Sequence, residues 1–127
     1  MKEAHMNQAK RFAMALLAGA LAVAPAFGKS ETVTGQLIDL ACYSLDKDNT
    51  GNHHKHKGLL CARACALEGF AVGLLTPDGK VYEITGELTA NTNAKLAPHM
   101  AQTVTLTGEV REANGKMTIA ANDLKTE

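Results

Sequence analysis

Two tight-turn signals, each flanked by apolar segments, constrain the fold of this chain most strongly. Residues 76–79 read Thr-Pro-Asp-Gly and lie between the strand-like segments 71–76 and 80–85. Asn114-Gly115 lies between the strand-like segments 103–110 and 116–120. Proline, aspartate and glycine favour tight turns, and Asn-Gly is the strongest short-range signal for a hairpin. The sequence therefore predicts two β-hairpins.

The remaining segments complete a pattern of five strands and two helices. Residues 32–40 are strand-like, with Gly35 at a predicted bulge or bend. Residues 60–70 are rich in helix-forming side chains and end at Gly69, and residues 91–100 begin with capping candidates. The order predicts a mainly β fold: a five-stranded OB-like barrel, with an insertion (residues 41–70) between strands 1 and 2 and a short helix between strands 3 and 4.

Inward-facing aliphatic residues should form one barrel core, because only 4% of the chain is aromatic while 46% is hydrophobic. We expect Met100 and Met117, which lie at core spacing, to pack there as well. The predicted strand contributors to the core are Val33, Leu37, Val72, Leu74, Val81, Ile84, Val104, Leu106, Val110 and Ile119.

Residues 1–28 are predicted to be a signal peptide. Lys10 and Arg11 precede an apolar run over residues 12–24, which is short for a membrane span of about 20 residues but typical of a signal-peptide core. Small residues at Ala24, Ala26 and Gly28 form two overlapping cleavage patterns. We therefore expect a periplasmic or secreted protein with one domain over residues 29–127 and no membrane attachment after cleavage. A retained anchor helix is the alternative.

Charge and motif content argue against several functional classes. The chain carries 13 basic and 13 acidic residues and no tryptophan, so it has neither the charge nor, with only Tyr43 and Tyr82 as tyrosines, the stacking surface expected for nucleic-acid binding. No common catalytic or nucleotide-binding motif occurs. We expect a binding or carrier protein and no enzyme. Surface positions are predicted for the scattered carboxylates Asp39, Glu68, Glu83, Glu87 and Glu109.

A cluster of metal-binding residue types falls inside the predicted insertion. Cys61 and Cys65 are four residues apart on a predicted helix, so their sulfurs can share one ion. Thiolates bind Cu(I) or Zn(II), and one imidazole completes a tetrahedral zinc site. The sequence therefore predicts a copper or zinc ion and, for delivery, another exported protein as a possible partner. The candidate ligands are Cys42, Cys61, Cys65, His53, His54 and His56.

Disulfide formation is the main alternative, because an exported protein meets an oxidising environment. A bond from Cys42 to Cys61 or Cys65 would close a loop of about 20 residues and stabilise the fold by about 3 kcal/mol. One thiol would remain free, and the protein would then be a stapled OB module that binds a ligand or partner. Thiol-redox chemistry is a third possibility, although the Cys-x-x-Cys spacing is absent. His99 is expected at the surface or at a helix end.

The insertion and its flanks also resemble a group of small exported bacterial OB-fold-like proteins. Residues 39–43 (DLACY), the His-rich loop, residues 61–65 (CARAC) and residues 73–80 (GLLTPDGK) are similar to that group's CY, His, CAxxC, GLL pattern. The resemblance covers most of residues 29–127. It implies export and an OB-like fold, and it implies no particular chemistry.

Overall fold

The computed structural model describes residues 28–51 and 61–127, which form a mainly β domain. Its five strands are β1 (Lys29–Asp39), β2 (Val72–Leu75), β3 (Val81–Thr85), β4 (Thr103–Ala113) and β5 (Lys116–Thr126). Two helices lie between β1 and β2, namely α1 (Leu40–Leu45) and α2 (Cys61–Leu67). In the described ranges, no helix has the length and apolar character needed to cross a membrane. The predicted signal peptide, apart from Gly28, lies outside the described residues.

The five strands form a sheet that closes on itself in the order β1-β2-β3-β5-β4. Closure depends on β1, because its Gln36 pairs with Leu75 of β2 on one side and with Thr103 of β4 on the other. A Cβ atom at the neighbouring Gly35 would lie 2.6 Å from the Leu75 carbonyl oxygen. Glycine is therefore needed here for close approach of two backbones. The shift in strand register lies between Thr107 and Gly108 of β4, where β4 pairs with β5, and not at Gly35, where a bulge or bend was predicted.

Both predicted hairpins are confirmed. The turn between β2 and β3 is closed by hydrogen bonds from the Thr76 amide to the Lys80 carbonyl (2.9 Å) and from the Gly79 amide to the Thr76 carbonyl (3.0 Å). The turn between β4 and β5 has positive φ angles at Asn114 (54°) and Gly115 (76°). These angles match the primed turn that an Asn-Gly pair favours. The pairing of β3 with β5 is parallel, in contrast to the antiparallel pairing of every other neighbouring pair.

The core fills the inside of the closed sheet. Of the strand residues predicted for it, all are buried except Val33 and Val81; Val33 is half-buried and packs against the core, whereas Val81 stands outside it. Met100 is buried and Met117 packs against the core, as predicted. Residues outside the strands close the core from α2 and from the segment between β3 and β4, and they are Ala62, Ala66, Leu88, Leu96 and Ala97.

The predicted helix over residues 91–100 is wrong. The structure has short 3-10 turns at Glu87–Thr89 and Ala97–His99, with the irregular segment Ala90–Asn93 between them. Asn91 and Thr92 adopt left-handed backbone angles (φ 53° and 51°), which cannot continue a right-handed helix. The buried Asn93 side chain fixes this geometry, because its amide nitrogen donates to the carbonyls of Ala66 (2.9 Å) and Phe70 (3.0 Å).

We expect Leu37→Ala to destabilise the domain by about 2 to 5 kcal/mol, because Leu37 is fully buried and its truncation leaves a cavity. Leu45→Ala makes the same chemical change at a side chain that is 87% exposed, so its effect should stay below about 0.5 kcal/mol. Urea denaturation of the two variants and the wild type measures the difference. Equal destabilisation by the two substitutions would contradict the assigned core.

Candidate metal centre

The three cysteines meet where β1 ends. Cys42 lies in α1, directly after β1, whereas Cys61 begins α2 and Cys65 follows one helical turn later. The Sγ atoms of Cys61 and Cys65 are 3.9 Å apart, so both face the same side of α2. The thiol of Cys42 lies against Cys61 and Asp39. Cysteines from two separate helices therefore lie close together, and all three are free thiols.

Asp39 lies next to the thiols of Cys42 and Cys65, and its predicted surface position is wrong. It is the last residue of β1, and only 2% of its surface is exposed. One carboxylate oxygen, Oδ1, accepts hydrogen bonds from the backbone amides of Ala41 (3.0 Å) and Cys42 (3.3 Å). Asp39 is therefore the N-cap of α1. The other oxygen, Oδ2, is buried and has no hydrogen-bond partner in the described part of the chain.

The sequence contained a signal for this arrangement. An aspartate directly before a short segment that supplies free amides two and three residues later fits the N-cap pattern. The strand prediction extended to Leu40 and therefore concealed both the cap and α1. The other predicted surface carboxylates are exposed or half-buried, and they are Glu68, Glu83, Glu87 and Glu109.

Helix α2 is held against the domain along one face and at its C-terminal end. Ala62 and Ala66 are buried against the core, which leaves the cysteines on an adjoining face. Gly69 (φ 90°), two residues after the last helical residue, terminates the helix. The Phe70 amide donates to the Cys65 carbonyl (3.1 Å), and the Gly69 amide donates to the Ala66 carbonyl (3.0 Å). These two bonds define a Schellman end. They fix the backbone that carries Cys65.

The backbone of Cys42 is fixed by the loop that follows α1. The Cys42 carbonyl accepts hydrogen bonds from the buried Asn49 side-chain amide (3.0 Å) and from the Asp46 backbone amide (3.0 Å). The same loop is joined to the sheet, because the Gln36 side chain donates to the Thr50 carbonyl (2.9 Å). Position 42 is thus anchored independently of α2.

Burial and the neighbouring carboxylate make the thiols weak acids. Burial raises the pKa of Cys42 to about 11 and that of Cys65 to about 12, with further increases from Asp39 and then from Cys61. Loss of a proton would place a thiolate beside a buried carboxylate, which like charges disfavour. Both thiols are therefore protonated at neutral pH when no cation is bound.

The remaining predicted site residues divide into two groups. His53, His54 and His56 lie outside the described residues. His99 is half-buried in the 3-10 turn before β4, consistent with its predicted position at a helix end. Across the described ranges, no three side chains of the His, Cys, Asp and Glu types already form a ligand shell. Holding an ion therefore requires side-chain rotation.

We expect Cys42 and Cys65 in the folded, reduced protein to react with iodoacetamide far more slowly than unfolded cysteine at pH 8. A pKa raised from 9.0 to about 11 lowers the thiolate fraction by about 100-fold. Alkylation rates followed by peptide mass spectrometry, with a chelator present and with urea-unfolded protein as the control, measure this. The rates for the folded protein should still be rising at pH 9.5, and a plateau below that pH would contradict the burial of these thiols.

Comparison with known proteins gave no match for this chain: no protein family, no curated protein and no solved structure is significantly similar to it. The resemblance to exported OB-fold-like proteins therefore stays a prediction. The functional interpretation of the protein rests on the geometry of Asp39 and the three cysteines.

Proposed function

We propose that the protein is an exported binding or carrier protein that holds a copper or zinc ion through Cys42, Cys61 and Cys65. The observation that carries this proposal is a cluster of three free thiols, two of which lie next to one buried carboxylate. Thiols and a carboxylate are all ligands for divalent zinc, and thiolates are also the preferred ligands of Cu(I).

The spacing of the sulfurs supports a shared ion. Two thiolates bound to one tetrahedral zinc ion at 2.3 Å lie about 3.8 Å from each other. The Sγ atoms of Cys61 and Cys65 are 3.9 Å apart. A disulfide requires a sulfur separation of about 2.0 Å, so Cys61 and Cys65 would have to approach each other to form one. The observed spacing is therefore closer to that of two ligands than to that of a bonded pair.

A cation would also remove the electrostatic conflict in the cluster. Burial and then the neighbouring Asp39 raise the pKa of the Cys42 and Cys65 thiols, so these thiols retain their protons. A bound metal ion replaces these protons and stabilises the thiolates. One of His53, His54 and His56 remains the predicted fourth ligand, from outside the described residues.

The closed five-stranded sheet supports the OB-like interpretation as part of the same proposal. Its insertion between β1 and β2 carries the cysteines, and the segment between β3 and β4 closes one part of the core. Such a barrel provides a rigid frame for a site built from an inserted segment. Export rests on the basic, apolar and small-residue succession of residues 10–28 in the sequence.

We expect one ion per chain in the reduced protein and loss of most of it in Cys61→Ser, because that change removes a ligand at the centre of the cluster. Ala64→Ser is the matched control, since it places serine on an exposed position of the same helix. Elemental analysis and thiol titration, with and without a chelator, measure the outcome. Binding should weaken in acid, because protons compete with the ion for the thiolates.

Two other results would contradict this proposal, and each favours a different function. If protein purified without oxygen holds no metal and contains a Cys42 disulfide with one free thiol, the protein is a disulfide-stapled OB module that binds a ligand or partner. If it forms a reversible disulfide that exchanges with small thiols, thiol-redox chemistry is favoured instead.

We expect the mature protein to begin near Phe27 or Lys29, because the small residues before them form the predicted cleavage positions. Intact-mass measurement of protein from the periplasm or the culture medium tests this. Recovery of the uncleaved chain from the cytoplasm would contradict export.

A further inference from the structure

The buried oxygen Oδ2 of Asp39 takes no part in the cap of α1, although the thiols of Cys42 and Cys65 border this carboxyl group. In the described part of the chain, Oδ2 is the single buried side-chain nitrogen or oxygen atom without a hydrogen-bond partner. A buried polar atom without a partner is costly, and a buried charge is costlier still. An oxygen in this position therefore points to a partner that is a ligand.

Capping of α1 does not account for this cost. The cap uses Oδ1 alone, through the amides of Ala41 and Cys42. Serine, threonine or asparagine at this position would cap a helix about as well without a buried negative charge. The second oxygen is the feature that only an acidic residue supplies, and the carboxyl group lies next to the thiols of Cys42 and Cys65.

We infer that Asp39 Oδ2 is itself a ligand, so that the ion is held by three sulfurs and one oxygen and is Zn(II) in preference to Cu(I). This inference rests on the proposed metal-binding function and names its fourth ligand and its ion. Carboxylate oxygen is an ordinary zinc ligand, whereas Cu(I) is selected by soft sulfur ligands.

The charge of the cluster supports the same choice of ion. Three thiolates and one carboxylate together carry four negative charges when all are ionised. A divalent ion neutralises one charge more than a monovalent ion, and uncompensated charge is costly where side chains are buried. Asp39 is 2% exposed and Cys61 is 5% exposed, so the larger ionic charge is favoured at this position.

The four proposed ligands lie near one another at the end of β1. Asp39 is fixed by its pairing with Val72 of β2 and by the cap of α1. Cys42 follows on α1, and the Sγ atoms of the two α2 cysteines are 3.9 Å apart. Because no three of the described side chains already form a ligand shell, ion binding requires these side chains to rearrange.

Asp39→Asn is the decisive variant, because asparagine keeps the cap of α1 but replaces Oδ2 with an uncharged amide nitrogen. Zinc affinity, measured by competition with a chromophoric chelator, should fall by at least about 100-fold, since even partners that only orient a ligand contribute 10- to 100-fold. Cu(I) affinity should change by less than about 10-fold, because the three thiolates remain. Asp123→Asn, at an exposed position of β5, is the charge-matched control and should leave both affinities unchanged.

Cobalt absorption gives a readout that a structural role for Asp39 would not change. Co(II) in the wild type should show thiolate charge-transfer bands and the ligand-field bands of a tetrahedral site. In Asp39→Asn the charge-transfer bands should persist while the ligand-field bands shift. Asp39→Ser, which also preserves a capping oxygen, is the second variant, and circular dichroism verifies that each variant is folded.

The outcomes separate this inference from the proposed function. If Asp39→Asn binds zinc as tightly as the wild type while alanine at His53, His54 and His56 together abolishes binding, the carboxylate is not a ligand and the metal-binding function stands. If the wild type prefers Cu(I) over Zn(II) and Asp39→Asn does not alter that preference, the choice of zinc is wrong. If the reduced wild type binds neither ion, the proposed function itself fails.

Discussion

Closure of the sheet through β1 is the constraint on which the rest of the structure depends. A single strand pairs with β4 over most of its length and then with β2 near its end, and the change of partner occurs at Gln36. This closure buries the core residues on the inside of the ring. It also fixes the position of Asp39, three residues after the change of partner, and therefore the place where the cysteines meet.

Local features of the fold could be predicted from the sequence, and non-local ones could not. Residues 76–79 and Asn114-Gly115 specify their turns through their own backbone preferences, so both hairpins were predictable. The parallel pairing of β3 with β5 depends on contacts between distant segments, which no local pattern encodes. The left-handed Asn91 and Thr92 depend on a hydrogen bond from Asn93 to the Ala66 carbonyl of α2, which is distant in sequence. This explains why the helix prediction failed there.

In the candidate site, too, the local features were predictable from the sequence and the non-local ones were not. The spacing of Cys61 and Cys65 was enough to place two sulfurs together, because four residues make one helical turn. Asp39 was misinterpreted because the helices α1 and α2 contact β1 near its end, whereas a carboxylate at a strand end is usually exposed. The cap of α1 was the local signal that could have identified it.

The pairing of β1 with β4 has a consequence for the order in which the chain can fold. Lys29 pairs with Val110, and Gln36 pairs with Thr103, so the two strands are separated by most of the domain. Contacts between such distant residues require a large loss of chain entropy before they contribute any stability, and folds dominated by them form slowly. A chain synthesised from its N-terminus cannot complete the ring until β5, which joins β3 to β4 and ends at Thr126, is available. The first strand therefore remains without its main partner until nearly the whole sequence has emerged.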